Sequence, residues 1–376
     1  MIISHTVLTG SRLPAIDAMR GIVMVLMTVD HASAAFNAGR YVTDSFIWYQ
    51  AGSQIPPAQF LTRWVTHLCA PTFLFLAGFV LALSAAGRQA RDVSEHTIDR
   101  SMLIRGIFIL LLDPLWMSIG FGGIMIFQVL YAIGASFCLM AFLRRFGAVK
   151  LLLIGLGLIF LGEKLVQMAV WVGGGTQAGP AGVLLITGLR KVMGIFVLYP
   201  LLPWLAYMVL GWVCGKHLMG KDAFYRVRFF SFAGGASLAV FFIIRGLNKY
   251  GNMLLFRYDL SILQWLHVSK YPPSLSFAAL ELGLMSLILA WLFAWYRSRK
   301  PFAANPLQVF GRTPLFFYLI HVHLLGAASL LLNMHQSGGL TATFIAATAA
   351  LLALYPLCRW YGRIKRDRPK SVLGYL

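Results

Sequence analysis

Apolar segments about 20 residues long follow one another along almost the whole chain, and this constrains the fold more than any other feature. A helix of roughly 20 apolar residues crosses the hydrocarbon core of a bilayer. The pattern therefore predicts an all-α, polytopic membrane protein with about ten transmembrane helices, forming a single integral-membrane domain over residues 1–376. The predicted spans lie near residues 14–36, 61–86, 102–120, 123–143, 149–171, 199–217, 229–246, 273–296, 307–332 and 340–360.

The composition agrees with this class. Hydrophobic residues make up 59% of the chain and charged residues 12%, about half the charged share of a soluble domain. A net charge of +20 would suggest nucleic-acid binding in a soluble protein. In a membrane protein it is explained better by basic cytoplasmic loops, and no nucleic-acid module is recognisable, so no nucleic-acid partner is expected.

The distribution of lysine and arginine predicts the orientation. With a cytoplasmic N-terminus, the cytoplasmic segments hold 21 of the 32 basic residues, the opposite segments hold 8 and the spans hold 3. This excess predicts that both termini are cytoplasmic. Residues 180–198 fit neither a span nor an ordinary loop, and we expect an interfacial or re-entrant segment there.

The first predicted span carries four ionisable residues in the stretch "DAMRGIVMVLMTVDHAS". Asp17 and Arg20 are three residues apart and can pair near the cytoplasmic end of a helix, and His31 falls on the same stripe further across. Asp30 adjoins His31. Ionisable groups inside a membrane are expensive and mark functional sites, although Asp17 and Arg20 would also suit a snorkelling surface pair and Asp30 and His31 an interfacial one.

Two other spans carry candidate groups. His67 lies in the second span, and "GRTPLFFYLIHVHLL" places Arg312 near the cytoplasm with His321 and His323 further across. Because residues two apart point to different faces of a helix, the last two histidines cannot both serve one site directly. Taken alone, each is more often a packing residue. No carboxylate or cysteine stands at ligand spacing beside them, so no metal site is expected.

Several motifs occur together in order along the chain. They are "RLPAIDAMRGIVMVLMTVDH", "APTFLFLAGF", "YPLLPWLAYMVLGWVCG", "YPPSLSFAALELG" and "PLQVFGRTPLFFYLIHVHLL". In this combination the chain resembles the family containing the catalytic domain of heparan-α-glucosaminide N-acetyltransferase, in particular its bacterial members. The first and last motifs also resemble the wider superfamily of transmembrane acyltransferases. The resemblance implies a location in a bacterial inner membrane.

The resemblance also implies a reaction. Acetyl-CoA would bind from the cytoplasmic side as the donor substrate, with no permanently bound cofactor, and an intramembrane histidine would assist acyl transfer to a sugar amine or hydroxyl on the far side. Asp17 and Arg20 match the first-helix motif, whereas Arg312 and His321 match the late one. Arg20 and Arg312 would hold the phosphates of the donor through charge-assisted bonds, with Asp17 beside them.

The catalytic histidine has to be assigned afresh. The characterised lysosomal enzyme has this residue between its first two spans, whereas no histidine occurs here between His31 and His67. These two are therefore the candidates, with His321 as the match in the late motif. We expect His31 to act as the base or as the acetyl carrier, oriented by Asp30 as by the third group of a triad.

Two other classes of function fit the same residues. In a transporter, the intramembrane Asp and His groups would form a proton relay. In a membrane scaffold, they would only hold helices together. The sequence leaves the acceptor, the acyl chain length and the formation of a homo-oligomer open, although the long loops 37–60 and 247–272 are expected to shape acceptor specificity.

Overall fold

The computed structural model describes residues 13–299, 302 and 304–367, most of which form helices. The α-helices are α1 (Pro14–Phe36), α2 (Pro57–Trp64), α3 (Cys69–Gln89), α4 (Glu95–Leu112), α5 (Ser118–Gly120), α6 (Val129–Leu143), α7 (Ala148–Phe160), α8 (Gly162–Val172), α9 (Pro180–Gly182), α10 (Leu201–Leu218), α11 (Ala223–Leu247), α12 (Ile262–Leu266), α13 (Leu275–Trp295), α14 (Pro306–Arg312), α15 (Pro314–Leu331) and α16 (Leu340–Asp367). The strands are β1 (Ile126–Phe127), β2 (Arg190–Val192) and β3 (Ile195–Val197).

Within the described residues, 7 helical segments are long and apolar enough to cross a membrane, as expected of a multi-pass membrane protein. They are Pro14–Phe36, Pro57–Gln89, Glu95–Gly120, Ala223–Leu247, Leu275–Trp295, Pro314–Leu331 and Leu340–Asp367.

The predicted number of ten spans is not confirmed. Helices α6 and α7 have 15 and 13 residues, short for a crossing of about 20 residues. The predicted span near 149–171 breaks at Leu161, which separates α7 from α8. Helix α10 has 18 residues but ends with Lys216 and His217 in its last turn. Residues 1–12 and 368–376 lie outside the described residues, and the cytoplasmic orientation of the termini stays a prediction.

The all-α prediction fits the described residues, which are mostly helical and include one small sheet. Strand β3 lies between β1, which is parallel to it, and β2, which is antiparallel. The β2–β3 hairpin closes over Met193 and Gly194, whose φ angles are +50° and +84°. Two consecutive residues with positive φ form the tight turn whose twist suits a hairpin. The segment 180–198, expected to be interfacial or re-entrant, thus consists of helical turns over 180–187 followed by this hairpin.

Close backbone contacts join α1 to α14. A Cβ atom on Gly311 would lie 1.8 Å from the carbonyl oxygen of Asp17, and one on Gly21 would lie 2.1 Å from that of Leu307. Only glycine permits this approach, because any side chain would overlap the facing backbone. The contact brings the start of α15 beside α1, and so brings the two charged motifs of the sequence together.

Prolines interrupt the helices where the candidate residues lie. Pro71 has no amide hydrogen, and its ring collides with the carbonyl of the residue four positions earlier, which is His67. The chain accordingly forms a 3₁₀ turn over Val65–Leu68 between α2 and α3. Pro314 likewise separates α14 from α15, and it occupies the first helical turn, where proline is tolerated.

Replacing Gly311 with alanine should push α1 and α14 apart. Overpacking of this kind typically costs about 1–3 kcal/mol, and we expect a lower unfolding temperature of the detergent-solubilised protein. Gly157→Ala in α7 is the matched control, since a Cβ there has no neighbour within 4 Å. An unfolding temperature for Gly311→Ala at or above that of the control would contradict the close contact.

Candidate active site

Two histidines from opposite ends of the sequence meet inside the bundle. The Nδ1 atom of His31 in α1 lies 2.6 Å from Nε2 of His321 in α15, and the rings stack with centroids 4.8 Å apart. His321 is completely buried, whereas His31 is partly exposed. We call these two residues the histidine pair.

The helix backbone determines which nitrogen atoms carry hydrogen. Nδ1 of His321 lies 2.8 Å from the carbonyl oxygen of Tyr318 and 3.1 Å from that of Phe317. A carbonyl oxygen only accepts, so this Nδ1 donates, and Nε2 of the neutral ring keeps a lone pair. Nδ1 of His31 then donates to that lone pair. His31 is left with an unprotonated Nε2, which is the form required of a general base.

A second cluster surrounds Arg63, and we call it the Arg63 network: Asp30, Arg40, Asp44, Arg63 and His67. Nη1 of Arg63 lies 2.7 Å and 2.8 Å from the two carboxylate oxygens of Asp30. Nε and Nη2 of Arg63 lie 3.1 Å and 2.7 Å from Oδ2 of Asp44. Arg40 adds a bond of 2.9 Å to Asp30. The network thus ties α1 and α2 to the loop after α1.

The network corrects the expected role of Asp30 as the group that orients His31. Both carboxylate oxygens of Asp30 bind Arg63, and one also binds Arg40. Neighbouring residues on a helix point about 100° apart, which directs Asp30 to α2 and His31 to α15. His31 is oriented by His321 instead.

His67 belongs to the Arg63 network, away from the histidine pair. Its Nε2 lies 3.1 Å from Oδ2 of Asp44 and donates to it, and its ring is 1% exposed. Burial alone would raise the pKa of Asp44, but the Arg63 guanidinium and the bond from His67 hold that pKa well below its usual range. His67 therefore supports a buried carboxylate and is a poorer candidate than His31 for contact with a substrate.

A cavity of about 610 Å³ lies between α1, α3, α4, α6 and the start of α15. Along α3 its wall runs from Phe73 to Arg88, a length of about 22 Å. Arg20, Arg88 and Arg105 are its charged lining residues. Apart from these arginines, its polar lining residues are Ser84, Ser101 and Tyr318.

The cavity approaches the histidine pair at Tyr318. This residue lines the cavity, and its ring centroid lies 6.2 Å from that of His31 and 5.6 Å from that of His321. The rest of the wall consists of apolar residues such as Leu130. The site therefore offers guanidinium groups in one region and a hydroxyl group beside the imidazole of His31 in another.

Asp17 connects the two arginines predicted to hold the donor. Its carboxylate lies 3.9 Å from Arg20 and 3.6 Å from Arg312. Arg20 lines the cavity, whereas Arg312 is not among its lining residues and also contacts Gln308, 3.4 Å away. Arg20 can therefore contact a ligand in the cavity. Asp17 and Arg312 do not line the cavity, and Asp17 lies between the two arginines.

Several residues of the site were missed by sequence reasoning. Arg88 and Arg105 resembled ordinary basic residues near the ends of predicted spans, and Arg63 resembled one at the start of the second predicted span. Pro71, which breaks the helix near Arg63, was the available signal for that residue. His323, on the other face of α15, bonds to the backbone of Leu319 and Trp116. Among the described residues, no group of three or more His, Cys, Asp or Glu side chains could hold a metal ion.

The helices and the site define a multi-pass membrane protein with a candidate group-transfer centre inside its bundle. Residues 12–245 match the family model described as heparan-alpha-glucosaminide N-acetyltransferase, catalytic. The chain belongs to this family, and membership implies a membrane acetyltransferase-like function. Comparison with curated proteins gives no match. His31, Arg63 and His67 lie within the matched segment, whereas Tyr318 and His321 lie beyond it.

Replacing Arg63 with methionine should leave the buried carboxylate of Asp44 and the partly buried carboxylate of Asp30 without their main partner. Removing one member of a buried ion pair costs about 3–5 kcal/mol, which we expect as a lower free energy of unfolding in detergent. Arg40→Met is the matched control, because Asp30 then keeps Arg63. Equal losses in the two variants would contradict the central position of Arg63.

The buried His267 should make stability depend on pH. Burial lowers its pKa from 6.5 to about 4, despite a hydrogen bond from its Nε2 to the carbonyl of Thr43. Because the pKa of His267 is lower in the folded state, the neutral ring contributes fully to the free energy of unfolding above pH 6.5. This contribution is lost as the pH falls towards 4.

The comparison of wild type with His267→Gln isolates this contribution. The difference between their unfolding free energies should change by at most about 1.4 kcal/mol per pH unit over that interval, with the wild type losing more. Parallel pH profiles would show that His267 does not titrate with unfolding.

Proposed function

We propose that this protein transfers an acetyl group from acetyl-CoA, held in the arginine-lined cavity, to an amine or hydroxyl group of a sugar. The observation that carries the proposal is the junction at Tyr318, where the cavity meets the histidine pair. Family membership supports the acetyl group as the cargo. The donor, the acceptor and the direction of transfer are the parts that the proposal adds.

The donor would bind with its phosphates at the arginines. Guanidinium groups form forked, charge-assisted bonds with phosphate oxygens, and Arg20, Arg88 and Arg105 all line the cavity. The pantetheine arm would follow the apolar wall formed by α3 and α6. Its thioester would then reach Tyr318, next to His31.

The acceptor would approach His31 from the side of the Arg63 network. Nε2 of His31 would remove the proton of the attacking amine or hydroxyl, while His321 holds the ring through Nδ1. Loops 37–60 and 247–272 supply Asp44 and Tyr271, and Nη2 of Arg63 lies 3.5 Å from the hydroxyl of Tyr271. These loops would therefore shape the acceptor pocket.

We also propose how the protein is oriented in the membrane. Arg105 lies on the same helix as Asp99, and Arg88 bonds to Ser101 of that helix. These two cavity arginines therefore belong to the end of the bundle where Arg144 and Arg145 bind Asp99, and basic residues favour the cytoplasmic face. Acetyl-CoA would enter there, with the sugar on the opposite face of a bacterial inner membrane. The lipid bilayer, acetyl-CoA and a glycan or sugar are thus the proposed partners.

His31→Ala should abolish release of CoA from acetyl-CoA in the presence of acceptor. Loss of a general base typically lowers the rate by about 10²–10⁴-fold. His321→Gln, whose amide oxygen can accept from Nδ1 of His31, should retain more activity than His321→Leu. His323→Ala is the control on the same helix and should behave as wild type.

Label from the acetyl group distinguishes the two roles open to His31. Retention on the wild type and loss in His31→Ala would show an acetyl-histidine intermediate, whereas the absence of label with normal turnover would show a base. Wild-type protein that neither binds nor consumes acetyl-CoA, but takes up a substrate in proteoliposomes, would favour a transporter and overturn the proposal.

Arg88→Ala should weaken donor binding while leaving the chemical step unchanged. We expect a higher KM for acetyl-CoA, a smaller salt dependence of binding and an unchanged kcat. Arg100→Ala is the matched control, because Arg100 is exposed on the same helix as Arg105 and does not line the cavity. Identical KM values for the two variants would place the phosphates elsewhere.

A further inference from the structure

Tyr318 stands between the cavity and the base. It lines the cavity, it is 4% exposed, and its ring meets that of His31 nearly edge to face, with an angle of 70° between the ring planes. His31 itself is not among the lining residues. A thioester that approaches His31 through the cavity therefore passes the Tyr318 side chain.

The hydroxyl group of Tyr318 is available to a ligand. Buried tyrosines usually find a hydrogen-bond partner: Tyr131 donates to the carbonyl of Leu184, and Tyr199 pairs with Tyr271 at 3.2 Å. Among the residues that the structure describes, none forms a hydrogen bond with the Tyr318 hydroxyl. A buried donor in a cavity wall without a protein acceptor suits a ligand that supplies one.

The other polar groups of the wall are poorly placed for the same task. Ser101 accepts a hydrogen bond from Arg88, and Ser84 lies one turn before Arg88 on α3. Arg20 is drawn towards Asp17 and the carbonyl of Leu76. Tyr318 is the polar lining residue that also contacts both rings of the histidine pair.

We propose that Tyr318 is a further catalytic residue, whose hydroxyl donates a hydrogen bond to the carbonyl oxygen of the thioester. This inference rests on the proposed acetyl transfer. A donor aimed at the oxygen where negative charge develops stabilises the transition state more than the ground state. In the apolar surroundings of this cavity, water competes little for that bond.

The reaction then proceeds with a complete balance of atoms and electrons. As Nε2 of His31 takes the acceptor proton, the acceptor nitrogen or oxygen bonds to the carbonyl carbon, and the π pair of the C=O bond moves onto the oxygen held by Tyr318. When the C=O bond forms again, the C–S bond breaks and its electron pair leaves on sulfur. The imidazolium of His31 returns its proton to that sulfur, giving CoA and the acetylated acceptor.

Tyr318→Phe tests the hydroxyl while keeping the ring that separates cavity and base. Removal of one such donor typically lowers kcat by about 10²–10³-fold, whereas KM for acetyl-CoA should stay within about twofold. Tyr131→Phe, on the α6 helix but outside the lining, is the matched control and should keep wild-type kcat. A Tyr318→Phe protein with wild-type kcat would overturn the inference.

A spectroscopic measurement keeps the inference testable even if Tyr318→Phe does not fold. Acetyl-CoA labelled with ¹³C at the carbonyl would be bound to His31→Ala, which cannot turn it over, and its infrared C=O stretch recorded. A hydrogen bond from Tyr318 should lower this frequency relative to free acetyl-CoA, and the double variant His31→Ala/Tyr318→Phe should restore it. A purely structural role of Tyr318 would not move the band.

The outcomes separate the two proposals. Acetyl-CoA that binds with an unshifted carbonyl band would overturn the role of Tyr318 and leave acetyl transfer standing. Wild-type protein that neither binds nor consumes acetyl-CoA would overturn the proposed function itself.

Discussion

Arg63 binds one carboxylate of α1 and one of the loop that follows it, and the arrangement of the loops at that end of the bundle depends on these contacts. An ion removed from water loses several kcal/mol of hydration, so a buried charge persists only with partners in good geometry. Arg63 meets this condition through Asp30 in α1, Asp44 in the following loop and the hydroxyl of Tyr271. These contacts fix the loops over the end of α1 while leaving His31 outside the network.

Two adjacent residues of α1, Asp30 and His31, make different kinds of contact in the site. Asp30 is used for assembly, because both its oxygens are taken by arginines, whereas His31 is turned towards α15 and bonds to a neutral ring. The glycine contacts between α1 and α14 place α15 close enough for this bond. Steric fit between the backbones of α1 and α14 thus determines the position of the proposed base, His31.

Much of the helical framework could be predicted from the sequence, because segments of apolar residues report directly on the bilayer. The pairing of Asp17 with Arg20 followed from helical spacing, and His31 stood out as an ionisable group in an apolar run. The bond between His31 and His321 joins residues 290 positions apart in the sequence. A local sequence pattern cannot predict a contact over so large a separation. Arg63 was missed since its partners lie on a loop and on another helix, which only tertiary structure brings together.

The separation of the histidine pair along the chain has a consequence for biosynthesis. Because α1 precedes α2 in the chain, Asp30 can meet Arg63 as soon as α2 has been made. His31 must wait for α15, which follows α2 by about 250 residues, and Tyr318 arrives on that same helix. The proposed base and the hydroxyl group therefore come together only after α15 has been synthesised. A nascent chain that has not yet reached α15 carries the cavity wall of α3 and α4 together with His31, but it lacks Tyr318 and His321.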